Sequence, residues 1–288
     1  MVELALFDEP AAMSAFSDGR RVAERRVALV PTMGALHEGH LALVDEARRH
    51  ADLVVVSIFV NPLQFNRRDD FDAYPRLVDD DLALCAAHGV DAVYAPCVAA
   101  MYSPGFETYV NPGPLADLLE GAQRPGHFRG VTTVVAKLFG AVRPHVAVFG
   151  QKDFQQLAII RRMTTDLDMG IEIVGMPTVR EPDGLAMSSR NRRLSPAQRS
   201  AAVCVSQSLQ TVADAVGRHI INVAELTALG QAVVEAEPRA RFEHLEIVHP
   251  DTLQPLTVVG AAAVAVTAVW FGDVRLIDNR LLCAEQPS

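Results

Sequence analysis

His37 and His40 stand three residues apart in PTMGALHEGH, residues 31–40, split by Gly39 and placed directly after the apolar run Val27–Val30. A helix-like pattern follows at once. A helix N-terminus offers unpaired backbone amides and the positive end of its dipole, so it attracts anions. Gly34 and Gly39 leave room for a ligand to approach the backbone closely. No lysine follows these glycines and GxGxxG is absent, so neither a P-loop nor a dinucleotide fingerprint is present. Two imidazole N–H groups facing one anion would do the phosphate-binding work that lysine does in a P-loop. The alternative is a capped helix whose histidines face water.

Lysine itself is scarce: among 26 lysines and arginines only Lys137 and Lys152 are lysine. Lys152 stands in GQKDFQQL, residues 150–157, where a strand pattern gives way to a helix pattern. An ammonium there could neutralise charge building on a transferring phosphate. A solvated surface lysine is the plainer reading. Lys137 lies inside the apolar pattern GVTTVVAKLFGAV and reads as a helix residue with its head in water. AMSSRN, residues 186–191, sets Ser188, Ser189 and Arg190 in succession, either as a flexible phosphate clamp or as an ordinary polar loop. Gln64, in SIFVNPLQF, and Gln156 carry amides that donate and accept, which suits a substrate with hydroxyl and carboxylate groups. Spacing alone does not separate that role from a surface glutamine.

Strands and helices must position these groups. Strand candidates are residues 26–31, 53–60, 91–95, 146–150 and 171–177, several of them continuous Val/Ile/Leu runs of the kind that parallel strands covered on both faces require. Helix-like stretches at 40–50, 79–88, 131–142 and 153–166 lie between them. This alternation predicts an α/β fold, a Rossmann-like parallel sheet with ligands outside the carboxyl ends of its strands. After Pro177 the texture changes. TVREPDGLAMSSRNRRLSP is polar and turn-rich and reads as a long loop. Ser195-Pro196 then opens a helix. Helices near 196–216 and 223–237 precede strands near 242–248 and 262–271, which predicts a smaller α+β C-terminal domain. The boundary falls between 1–177 and 178–288.

With 288 residues, half of them hydrophobic and 6% aromatic, the chain has the composition of a soluble globular enzyme. A net charge of −9 argues against a nucleic-acid partner, which demands a basic face. Cys85, Cys97, Cys204 and Cys283 form no CxxC pair and lie among apolar or small residues. The expectation is four buried free thiols in a reducing cytosol. MVELALFDEP carries acids where an export signal carries bases, and the uncharged stretch 252–272 is interrupted by Pro255 and Gly260. No membrane partner is expected, and the localisation expected is cytoplasmic.

HEGH resembles the HxGH signature of the nucleotidyltransferase superfamily, and AMSSRN its KMSKS-type loop. Taken in order, PTMGALHEGH, NPLQF, HFRGVTTVVAKLF, GQKDFQQL and AMSSRN closely resemble the pantothenate synthetase family, from about residue 20 to RLIDN at 275–279. The combination is highly specific, whereas HEGH alone leaves the substrate open. The resemblance implies an AMP-forming ligase that joins pantoate to β-alanine with ATP, with Mg²⁺ as cofactor and usually as a homodimer. It implies a nucleotide- and pantoate-binding N-terminal domain and a C-terminal domain acting as a lid.

Carried to matching positions, Met33, Gly34, Ala35, Leu36, His37, Glu38, Gly39 and His40 would line ATP, with His40 as catalytic proton donor. Gly150, Gln151, Lys152, Asp153, Val179, Met187, Ser188, Ser189 and Arg190 would complete the nucleotide site. Gln64 and Gln156 would hold pantoate, Gln64 also lying near β-alanine. His37, His40 and Lys152 would carry the chemistry. The family usually reads G-E-K-D-Y where this chain has Gln151 and Phe154, so a negative charge beside Lys152 is missing. Asp80 or Asp81 could lie near Mg²⁺, but Asp79–Asp81 equally suit a helix start, and Mg²⁺ often binds through phosphates and water. Two other readings stay open: a nucleotidyltransferase with another substrate, and a nucleotide-binding module without turnover.

Overall fold

A computed structural model of the chain describes residues 4–283, apart from the side chains of Asp69 and Asp70. The chain divides into two compact units. One runs to Gln151 and resumes over Gln155–Pro177; the other comprises Lys152–Phe154 and the chain from Thr178.

The first unit is built on six parallel strands: β1 (Ala5–Phe7), β2 (Val27–Thr32), β3 (Leu53–Ile58), β4 (Ala92–Tyr94), β5 (Val146–Gly150) and β6 (Glu172–Met176). Their order is β1-β4-β3-β2-β5-β6. Every residue of β3 is buried. Side chains alternate between the faces of a strand, and the core divides accordingly. Val27, Leu29, Leu53 and Val55 pack with Met13 and with Val131, Val134, Val135 and Leu138 of the helix His127–Val142. Ala28, Val30, Val54 and Val56 face the other way, toward Leu43, Val44 and Ala47 of the helix Glu38–His50, and Cys85 of the helix Val78–Ala87. Continuous apolar runs are the consequence of this two-sided cover. The predicted α/β class and the five predicted strands are present. β1 and the helix Pro10–Val22, which sequence patterning did not identify, complete the layer.

The second unit carries an antiparallel sheet of β7 (Arg241–Val248), β8 (Ala263–Phe271) and β9 (Val274–Leu282). β8 and β9 form a hairpin in which Phe271 pairs with Val274 across Gly272 at φ +64. β9 was absent from the strand expectations, although it adds the third strand. The helices Val203–Gly217 and Val223–Glu235 pack Leu209, Val212 and Leu226 against Leu245 and Ile247, while Ala201 of the short helix Pro196–Ala201 packs with Val269 and Phe271. The predicted helix 196–216 is interrupted at Ala202. Its start is as expected: Ser195 and Gln198 form a capping box with Pro196 in the first turn. The uncharged stretch 252–272 ends in β8. Among the described residues no helix is long and apolar enough to cross a membrane.

The cysteine expectation needs correction. Cys85 and Cys204 are buried, but Cys97 and Cys283 are exposed. Burial pushes the Cys85 thiol up to about 11 and the Cys204 thiol up to about 12. Cys97 instead caps the short helix Val98–Met101, accepting from the Ala100 amide at 3.4 Å.

Glu243 on β7 holds the new strand. Arg275 donates to its two oxygens at 2.8 Å each, and Trp270 Nε1 donates to it as well. The Arg275 bonds draw the carboxyl from 4.5 to about 2 against the opposing effect of burial. Because the folded value is depressed, the stabilisation is present above pH 4.5 and is lost as pH falls toward 2. Glu243→Gln is expected to flatten the acid-side loss of stability over that window, as read by thermal melts at stepped pH.

Candidate active site

The segment after β2 is a tight, held turn. Thr32 Oγ1 donates to the Ser57 carbonyl at 2.7 Å and accepts from the Gly34 amide at 3.1 Å. Gly34 and Ala35 then both take left-handed backbone, at φ +80 and +52. For a non-glycine residue such a conformation costs about 1–3 kcal/mol, so something must fix it. Asp81 does: its oxygens accept from the Ala35 amide at 2.8 Å and the Leu36 amide at 2.7 Å, and it is 1% exposed. A Cβ on Gly34 would lie 2.8 Å from the Asp81 carboxylate, so glycine is required for this approach as well as for its φ. Asp81, which the sequence offered either to Mg²⁺ or to a helix start, is thus a loop clamp in the first turn of its helix.

The turn delivers His37 as the N-cap of the helix Glu38–His50. His37 Nδ1 accepts from the Gly39 amide at 3.1 Å. With Nδ1 accepting, the proton of the neutral ring belongs on Nε2, which is then a donor. The His37 and His40 rings lie 4.1 Å apart at 41°. The two imidazoles are therefore one unit at the positive end of a 13-residue helix. Met33, His37, Gly39 and His40 are partly exposed and Glu38 is exposed, while Ala35 and Leu36 are buried anchors.

Gln64 meets this segment directly. Its Nε2 donates to Met33 Sδ at 3.1 Å, and its Oε1 accepts from Asn61 Nδ2 at 3.0 Å. Asn61, 1% exposed, also donates to the Gly130 carbonyl at 3.1 Å and accepts from Tyr102 at 2.8 Å and from the Leu63 amide at 3.2 Å. The Gln64 carbonyl accepts from His127 Nδ1 at 2.8 Å and from Arg124 at 3.1 Å.

Gly150 ends β5, the strand beside β2, and the Gln151 amide donates to the Met176 carbonyl at 2.8 Å. β2 leads to β3 on one side and lies against β5 on the other, so the order of successive strands reverses between β2 and β5. In open α/β sheets the ligand crevice lies outside the strand ends at such a point. Gln156 is partly exposed in the first turn of the helix Phe154–Asp166, whereas its neighbour Gln155 turns inward to the Leu115 and Leu118 carbonyls at 2.8 and 2.7 Å.

The remaining predicted residues belong to the second unit. The Lys152 carbonyl accepts from Asn279 Nδ2 at 2.8 Å, and Asp153 is exposed. The polar loop is more ordered than its composition implies. Arg180 and Ala186 form a bridge, and the Met187 amide donates to the Val179 carbonyl at 2.9 Å. Ser188 caps a 3-10 turn, Ser189–Arg193, with its hydroxyl accepting from the Arg190 amide at 3.3 Å. Glu181 accepts from Asn191 at 2.8 Å and Arg199 at 2.6 Å, and Arg199 also reaches Asp183 at 2.7 Å. The Arg199 hydrogen bond holds the Asp183 carboxyl below its ordinary value. The site residues therefore form two sets, one on each unit.

The sequence profile of the family described as pantoate-beta-alanine ligase matches residues 5–281. The chain belongs to the pantoate–β-alanine ligase family. A pantothenate synthetase of Geotalea daltonii is 50% identical over 95% of this chain and 97% of its own length. One of Anaeromyxobacter dehalogenans is 52% identical over 95% and 97%. The crystal structure of pantothenate synthetase from Thermus thermophilus superimposes with a TM-score of 0.90 at 47% identity, covering 96% of this chain and 99% of that one. A pantoate-beta-alanine ligase from Francisella tularensis, complexed with beta-gamma ATP and beta-alanine, gives 0.80 at 31% identity, over 99% of both chains.

For a ligase of this family the structure adds three residues that sequence reading left without a role, Asn61, His127 and Gly130, and gives Asp81 a role other than the two it offered. His127 and Gly130 stand in HFRG, and Asn61 in NPLQF, so the motifs were visible while the contacts were not. Gly130 is the most constrained. A Cβ there would lie 2.2 Å from the Leu63 carbonyl oxygen and 2.8 Å from the Gln64 amide nitrogen. Gly130→Ala is expected to cost about 1–3 kcal/mol of stability by overpacking and to raise the KM for pantoate through Gln64. Denaturant unfolding and steady-state kinetics read the two effects.

Proposed function

We propose that the chain condenses pantoate with β-alanine at the expense of ATP, through pantoyl adenylate, releasing AMP and pyrophosphate. The observation that carries this reading is the tilted His37–His40 ring pair at a helix N-terminus, held beside Gln64 and following β2, where the strand order reverses. Family membership supplies the substrates, and the ATP and β-alanine named for the Francisella tularensis relative agree with it.

In the proposed first step a pantoate carboxylate oxygen attacks the α-phosphorus and the bond to pyrophosphate breaks. The barrier is largely repulsion between two anions, so aligned donors and cations are the main catalytic resource. His37 Nε2–H, His40, and the amides of the helix start meet the phosphates, and His40 is the catalytic proton donor. Lys152 and Arg190, with Ser188 and Ser189, complete the phosphate contacts, and Gly150, Gln151, Asp153, Val179 and Met187 line the nucleotide. Gln64 and Gln156 hold pantoate. In the second step the neutral amine of β-alanine attacks the acyl carbon, loses a proton, and AMP leaves. No protein nucleophile is required.

Magnesium would accompany the nucleotide. Among the described residues no group of three or more His, Cys, Asp or Glu could hold a metal ion, and Asp81 is engaged at both oxygens. A Mg²⁺ ion here would be held by the triphosphate and water, and no step above depends on a protein ligand to it. The chain is further proposed to work as a cytosolic homodimer, which light scattering of the purified protein checks.

Pantoate-dependent exchange of labelled pyrophosphate into ATP tests the reading. Exchange that requires pantoate and proceeds without β-alanine is expected. Folded protein that shows none would refute the adenylation step.

A further inference from the structure

RLIDN, residues 275–279, closes the region of family resemblance; its Arg275 holds β9 to Glu243, and its last two residues face elsewhere. On β9 its last two residues join two of the proposed phosphate-binding segments. Asn279 Nδ2 donates to the Lys152 carbonyl at 2.8 Å, fixing the backbone from which the ammonium extends. Asp278 accepts from Arg180 at both oxygens, at 2.7 and 3.1 Å, and from the Asn279 amide at 2.8 Å. Arg180 donates to the Gly184 carbonyl at 3.0 Å and bridges to Ala186, two residues before Ser188. Asp278 and Asn279 are 3% and 5% exposed. Neighbouring side chains on a strand point to opposite faces, so one can reach Arg180 while the next reaches the lysine turn.

We propose that Asp278 and Asn279 are positioning residues that hold the Lys152 turn and the Ser188–Arg190 segment in register for phosphate chemistry. The inference rests on the ligase reading above. A bidentate arginine–carboxylate pair fixes orientation as well as distance, which a lysine in its place would not do. Buried polar groups committed to protein partners are costly to rearrange, so the register is stiff. The pair should therefore matter to adenylation, where a triphosphate must be aligned. It should matter little to β-alanine attack on preformed pantoyl adenylate, from which pyrophosphate has already departed.

Two variants of the full chain test this. Asn279→Asp keeps the shape and removes the donor; Arg180→Lys keeps the charge and removes the fork. Each is assayed for pantoate-dependent pyrophosphate exchange and, separately, for capture of supplied pantoyl adenylate by β-alanine. Exchange is expected to fall about ten- to a hundredfold, with a raised KM for ATP, while capture stays near that of the unmodified chain. Unchanged exchange in both variants overturns this inference alone. An equal fall in both half-reactions makes the pair plain support for the fold and overturns it too. No exchange in the unmodified chain refutes the ligase reading, and the inference falls with it.

Discussion

Lys152→Ala is expected to lower pantoate-dependent pyrophosphate exchange by roughly 100- to 1000-fold while leaving the melting temperature almost unchanged. The reason lies in where its two parts stand. The backbone carbonyl is the group that Asn279 holds, and it survives the substitution. What is lost is one ammonium on a partly exposed side chain. Surface substitutions away from packed features usually move stability within about 0.5 kcal/mol, whereas a cation in the role proposed for Lys152, aimed at charge developing on the departing pyrophosphate, acts mainly in the transition state. The loss should therefore appear in kcat as well as kcat/KM. Lys152→Arg should not restore the rate, because a planar fork cannot take the place of a compact ammonium at the same point. A Lys152→Ala enzyme with near-normal exchange would remove this residue from the mechanism.

Asp81→Ala should act in the opposite way, through the fold. Its carboxylate is the partner of two buried amides, and an unsatisfied buried donor costs about 1–3 kcal/mol. Losing both is expected to cost about 2–5 kcal/mol, read as a lowered urea midpoint. Exchange should fall with it, since Ala35 loses what holds it at φ +52 and the His37–His40 pair loses its fixed approach. Asp81→Asn keeps one acceptor and should lie in between. Were Asp81 instead a metal ligand, Asp81→Asn would leave the midpoint unchanged and shift the magnesium dependence.

These two residues also show what was legible in the sequence. Lys152 stood out because lysine is rare in the chain and because a strand-to-helix turn has a recognisable pattern. β2, β3 and β5 were legible as continuous apolar runs, since two-sided cover leaves a local signature. Asp81 has no such signature. Its partners lie 46 and 45 residues away, and DDDL reads equally as the first turn of a helix, which it also is. The same holds for Asn61, whose bond to the Gly130 carbonyl spans 69 residues, and for Asp278, paired with Arg180 across 98. β1 is three residues long, too short for a period to emerge. The stretch after Pro177 read as a long loop because it is polar and turn-rich. Its order comes from Glu181, Asp183 and Asn191 pairing with one another and with Arg199 of the next helix, which composition does not encode.

In the proposed reaction pantoate's own carboxylate displaces pyrophosphate at the α-phosphorus, with the protein supplying donors and cations and no nucleophile. Oxygen-18 placed in the pantoate carboxylate reads this directly by mass spectrometry of the products. One labelled oxygen should leave with AMP and one remain in the pantothenate amide. Label appearing in orthophosphate alongside ADP, or AMP formed free of label, would contradict it.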